Sequence, residues 1–316
     1  MKLIQDVISG SQRALAKVLT LVENEDAAVP DILDQLYMHT GNARLIGITG
    51  PPGSGKSTLM GQVINQIRSS GLSVGILAVD PSSPFSGGAI LGDRLRMADI
   101  IDDSGVFIRS LGTRGSLGGL SNAVYDCAKV MDASGKEVII IETVGAGQSE
   151  VDIVKIADTT LVVCVPGLGD EIQMIKAGIL EIGDIFVVNK ADKPDADMVA
   201  NDLAMMVNLR KNSYDSQWHP IVRQTSTRTG TGIAGLWDDL EKHWSFLTRS
   251  GELARRRKLR IEAEIIRIAK HRLLEGAMDS ILKSGTWASW VDSASHHKTS
   301  PYRVAEKLME CIRRDP

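Results

Sequence analysis

Seven short runs of β-branched and apolar residues alternate with stretches of helical periodicity between residue 44 and about residue 247. They lie at 45–49, 73–80, 106–111, 137–143, 159–166, 184–190 and 220–226. The runs are apolar along almost their whole length, so both faces of each strand must be covered. Strands separated by helices meet that demand in a mostly parallel central sheet flanked by helices, an α/β fold. Ligands of such sheets sit beyond the carboxyl ends of the strands.

The 316 residues leave room for helices on either side of this core. An N-terminal helical extension is expected over 1–43, broken near Pro30. Leu3, Ile4, Val7 and Ile8, then Leu15, Val18, Leu19 and Val22, recur there at amphipathic spacing. The nucleotide-type α/β domain is expected over 44–250, and a C-terminal helical dimerisation arm over 251–316. Residues 252–283 contain no proline, and Leu259, Ile266 and Leu273 repeat every seventh position. That stripe resembles a partner seam, so a homodimer is expected. A stretch rich in Gly, Trp, Ser and His (285–299) leads to a last short helix around 302–311.

Composition narrows the class. A net charge of −3 gives no reason to expect nucleic-acid binding. Cys127, Cys164 and Cys311 are few and widely spaced, with no CxxC pair, which argues against a disulfide framework or a zinc ribbon. No run is long and apolar enough to span a membrane, and the first 20 residues lack a targeting pattern. No membrane association and a cytoplasmic location are the expectation.

GPPGSGKST follows the first strand and opens a helix with Leu59, Val63 and Ile67 on one face. Gly50, Gly55, Lys56 and Ser57 fill the fixed positions of the G-x-x-x-x-G-K-[ST] phosphate loop. Strand, glycine loop and helix bring backbone N–H groups and a helix N-terminus together on phosphate. Gly53 allows close approach to the nucleotide, Lys56 supplies charge for the β- and γ-phosphates, and the Ser57 hydroxyl is placed for Mg²⁺.

NKAD follows the sixth run. Asp192 can accept from guanine N1–H and the 2-amino group. Adenine lacks both donors, so against ATP the carboxylate would be left unpaired. Asn189 can tie this loop to the phosphate loop, and the Lys190 stem can cover the base. Ser226 and Thr227, after the last strand, stand where a backbone N–H would meet guanine O6. The alternative there is ordinary turn chemistry before Gly230 and Gly232. GTP and GDP are the expected ligands.

Mg²⁺ needs oxygen ligands beyond Ser57. Asp80 ends a strand, Asp93 lies in the glycine-bounded GGAILGDRLRM, and Glu142 ends VIIIE before a glycine-flanked loop. Each could instead be a helix cap or a solvated charge. Lys56, Asp93, Glu142 and Gln148 are the candidate catalytic set. Ala146 follows the switch glycine Gly145, and Gln148 comes two residues later, which predicts slow hydrolysis raised by a partner or a dimer contact. Residues 166–182 join a glycine-rich start to a helix where Asp170, Glu171, Gln173 and Lys176 could sense nucleotide state. A solvated helix N-terminus is the plainer reading. The basic 255–260 run reads as a solvated helix face, and His296 and His297 as surface.

Taken together, GPPGSGKST, AVDPSSPFSGGAILGDRLRM, ETVGAGQSE, PGLGDEIQMIKAGILEI and VVNKAD resemble the MeaB/ArgK family of P-loop GTPases. The resemblance implies a P-loop NTPase fold, phosphate contacts from Gly53 through Ser54, Gly55, Lys56 and Ser57 to Thr58, and Mg²⁺-linked switch acids at Asp80, Asp93 and Glu142. It also implies guanine contacts at Asn189, Lys190 and Asp192, with Ser226 and Thr227 beside them, and a further switch at 166–182. Thr227 and Arg228 depart from the smaller or apolar residues of many members. Family members are homodimers that escort adenosylcobalamin-dependent acyl-CoA mutases, typically methylmalonyl-CoA mutase. The implied function is that of a metallochaperone-type G protein gating cofactor loading and protecting the mutase. Two other functions remain open: a kinase of a lysine/arginine/ornithine transport system, and a nickel-inserting GTPase, which would need a Cys/His cluster.

Overall fold

In a computed structural model, residues 2–80, 102–112, 122–143, 152–167, 179–210, 218–283 and 285–314 are described. Seven strands form one sheet: β1 (Arg44–Thr49), β2 (Val74–Asp80), β3 (Val106–Gly112), β4 (Val138–Thr143), β5 (Thr159–Cys164), β6 (Ile185–Val188) and β7 (Ile221–Gln224). Their order is β3-β2-β4-β1-β5-β6-β7, and every pairing is parallel. β1 therefore lies between β4 and β5, in the middle of the sheet.

The helices are α1 (Lys2–Ile8), α2 (Gln12–Glu23), α3 (Val29–Tyr37), α4 (Lys56–Ser69), α5 (Asn122–Ala133), α6 (Ile179–Ile182), α7 (Ala196–Arg210) and α8 (Ile233–Arg249). They are followed by α9 (Glu252–Lys283), α10 (Thr286–Ser295) and α11 (Pro301–Arg314). The period-two alternation of each strand sorts its side chains between two helical layers. Leu77, Val79, Ile139 and Ile141 pack with α1, α2, α3 and α5. Ile46, Ile48, Ile76 and Ile140 face the other way, onto α4 and α8. Toward the far edge, Val162, Cys164, Phe186 and Val188 pack on α7. Fully burying one such aliphatic side chain is worth about 1.5–3 kcal/mol, so the double covering accounts for the unbroken apolar strands.

The chain divides into two compact units, residues 1–253 and 254–316. Helices α1 to α3 belong to the first: Val18 and Leu19 are fully buried in one core with Cys127, Val130 and Met131. Pro30 stands at the first turn of α3, where its missing N–H costs nothing. In the second unit, Ile281 and Val304 are buried, and Leu259, Ile266 and Leu273 are exposed on α9. The Gly/Trp/Ser/His-rich stretch contains the helix α10, opened by Gly285 and carrying Trp287 and Trp290.

A candidate guanine-nucleotide site at the carboxyl edge of the sheet

The site begins where β1 ends. Gly50 has φ +141°, and a Cβ there would stand 2.2 Å from Val163 O on β5, so only glycine lets the chain turn this close to its neighbour. Gly55 at φ +85° opens α4, and the first two helical residues, Lys56 and Ser57, are both buried. Lys56 Nζ donates to Gly50 O at 2.7 Å and Pro51 O at 3.0 Å, which curls the ammonium over its own loop. A phosphate oxygen, carrying charge, would be a stronger partner for it. Gly53, Ser54 and Thr58 lie in the same turn and first helical residues.

Ser57 Oγ donates to Glu142 Oε1 at 2.8 Å, in a buried contact across 85 residues. Glu142 shares its strand face with Ile140, and that alternation aims the carboxylate at α4. A serine hydroxyl and a carboxylate are hard oxygen donors, the set that Mg²⁺ prefers. Asp80 ends β2 one residue beyond the pairing of Val79 with Thr143. Its side chain lies outside the described residues, as do Asp93, Gln148 and all of 168–178.

The NKAD segment meets the glycine loop directly. Asn189 is fully buried; its Nδ2 donates to Ser54 O at 2.9 Å, and its Oδ1 accepts from Thr225 Oγ1 at 3.3 Å. Lys190, at φ +58°, reaches back to donate from Nζ to Gly53 O at 2.7 Å. Holding a lysine in the left-handed region costs energy of order 1 kcal/mol, a kind of strain found where geometry serves a ligand. Asp192 accepts from Ser226 Oγ at 2.6 Å, with the Arg228 guanidinium 3.6 Å away. That hydroxyl first, then its own backbone N–H and the cation, hold its carboxyl below the usual carboxylate value. The carboxylate is thus charged and oriented for paired N–H donors.

Thr225 and Gln62 were not among the residues read as functional. Gln62, on α4, donates from Nε2 to Thr227 O at 2.7 Å. No motif marks either one, because each acts through a contact between segments remote in sequence.

A family profile described as "Methylmalonyl Co-A mutase-associated GTPase MeaB" matches residues 15–281. The chain belongs to the MeaB family. With that it is a GTPase, built on seven parallel strands in the P-loop arrangement. Among its relatives, a GTPase of Pyrococcus horikoshii is 52% identical over 312 residues, covering 98% of each chain. The "Methylmalonic aciduria type A homolog, mitochondrial" of Mus musculus is 32% identical over 292 residues, 87% of this chain and 70% of the mouse protein. A solved structure of a "LAO/AO transport system kinase" superposes over 99% of this chain and 97% of its own, with a TM-score of 0.73 and 24% identity. At that identity the likeness is one of fold.

Proposed function

We propose that this GTPase acts as a metallochaperone-type switch for an adenosylcobalamin-dependent acyl-CoA mutase of the methylmalonyl-CoA type. In this reading GTP binding and hydrolysis gate loading of the cobalamin cofactor and protect the mutase. The observation that carries the nucleotide part is Asp192, held ionised by Ser226 beside a buried Asn189 that grips the phosphate loop. Guanine satisfies that carboxylate with two N–H donors, and adenine with none. Membership of a family described as mutase-associated supports the partner, as does the name of the mouse relative. The resemblance to a transport-system kinase is one of fold and lends no weight to a phosphotransferase.

In this proposal Lys56 and the N-terminus of α4 bind the phosphates, and Asn189, Lys190, Asp192, Ser226 and Thr227 bind the base. Ser57 and Glu142 would hold Mg²⁺, with Asp80 and Asp93 adding oxygens directly or through water. The metal would neutralise charge on the β- and γ-phosphates. Glu142 orients the Ser57 hydroxyl, and Gln148 would position water. Leu259, Ile266 and Leu273, exposed along α9 of the 251–316 arm, support a homodimer, since an isolated long helix gains little without burying its stripe.

The test is a pull-down with a purified adenosylcobalamin-dependent mutase in GDP and in a non-hydrolysable GTP analogue, with sedimentation of the protein alone. The proposal expects a dimer, and mutase binding that changes with the nucleotide. Failure to bind the mutase in either state would overturn the partner assignment and leave the GTPase intact.

A further inference from the structure

The peptide groups that follow Ser226 are fixed by their carbonyls. Ser226 O accepts from Gly230 N at 2.9 Å, inside the turn itself. Thr227 O accepts from Gln62 Nε2, which comes from α4, 165 residues away. Peptides here are trans, so each N–H points opposite to its carbonyl. The N–H groups of Thr227 and Arg228 therefore point away from the turn interior and from α4 respectively. Among the described residues neither donates to another group. They are the next two residues after Ser226, whose hydroxyl holds Asp192 at 2.6 Å.

Gln62 also carries a cost. Its Oε1 is buried and, among the described residues, accepts nothing. An unsatisfied buried acceptor is unfavourable for stability alone, and leucine of similar shape would avoid it. Stability of the empty protein does not explain the glutamine.

We infer that Gln62 is a positioning residue of the base site. It locks the Thr227–Arg228 peptide so that the two N–H groups are set for a purine 6-oxo group before the nucleotide arrives. The inference rests on the guanine reading above and deepens it. Asp192 reads one side of the Watson–Crick edge, at N1–H and the 2-amino group. The pinned peptide reads O6, and preorganising it reduces the ordering cost of binding. The same bond joins the phosphate-loop helix to the base loop, so its loss acts mainly on the rate at which bound nucleotide leaves.

The test uses full-length Gln62→Leu and Gln62→Glu, with dissociation constants and release rates for GDP, IDP and 6-thio-GDP. IDP keeps the 6-oxo group and lacks the 2-amino group. The thio analogue keeps both donors for Asp192 and weakens the acceptor at position 6. Gln62→Leu should weaken GDP and IDP alike, by roughly 2- to 10-fold, as expected for one hydrogen bond. It should change 6-thio-GDP by less than about twofold, the scatter expected between uncoupled sites. The melting temperature of the nucleotide-free protein should not fall. Gln62→Glu, which turns an acceptor toward Thr227 O, should weaken GDP further. Equal losses for all three nucleotides, or no loss, would overturn the inference. A wild-type protein with no preference for GDP over ADP would remove the guanine reading itself.

Discussion

Gly55→Ala tests how the phosphate loop and the base motif are joined. At φ +85° an alanine costs about 1–2 kcal/mol in the backbone alone. Its Cβ would also stand 2.6 Å from Asn189 Nδ2, which grips Ser54 O at 2.9 Å from a fully buried position. The amide has to retreat, and losing that bond while stranding a buried carbonyl costs about 1–3 kcal/mol more. The substitution should therefore destabilise by about 2–5 kcal/mol in the wild-type background. With Asn189→Ala already present the collision is gone, and only the backbone cost of about 1–2 kcal/mol remains. Thermal melts of the nucleotide-free protein in a four-way cycle read the difference. At roughly 2–4 °C per kcal/mol for a domain of this size, Gly55→Ala should lower the melting temperature about twice as much alone as beside Asn189→Ala. Equal losses in the two backgrounds would refute the contact.

Four further outcomes are expected. Asp192→Asn should lower GDP affinity by about two orders of magnitude or more while sparing xanthosine diphosphate, which can be checked by competition binding. Because the Asp192 carboxyl titrates below its usual value of 3.8, GDP affinity should hold through mildly acid pH and fall only as pH drops through that lowered value. Ser226→Ala removes the first cause of the lowering and should move the loss to higher pH, seen in a pH series of binding constants. Glu142→Gln leaves Ser57 a partner and removes a charge, so single-turnover hydrolysis should fall by about 10²-fold with GDP affinity little changed.

The fold was legible because a parallel sheet covered on both faces writes itself as unbroken apolar runs. All seven runs became strands, with no end shifted by more than two residues, as at β5, which stops at Cys164. The long helix over 252–283 read clearly for lack of any breaker. Helix α10 did not, since Gly285 and a mixture of Trp, Ser and His hide a helical period that only its neighbours settle. The N-terminal helices read correctly as amphipathic, but no periodicity says which surface an apolar stripe will cover. Here it covers α5 and its strands. GPPGSGKST and NKAD could be singled out as candidates because each is contiguous in sequence. Gln62 and Thr225 were not, because their meaning lies in bonds to Thr227 and Asn189 that no local pattern encodes.

The sheet order has a kinetic consequence. β2, β3 and β4 lie on one side of β1, and β5, β6 and β7 on the other. Asn189 to Ser54, Lys190 to Gly53 and Gln62 to Thr227 bridge 135, 137 and 165 residues. Contacts of such separation form late, after the chain has met the entropy of closing long loops. The proposed base pocket therefore assembles only when the last strand is in place. On that proposal guanine nucleotide is held tightly only by a chain that has finished folding, so nucleotide occupancy doubles as a report of completed assembly.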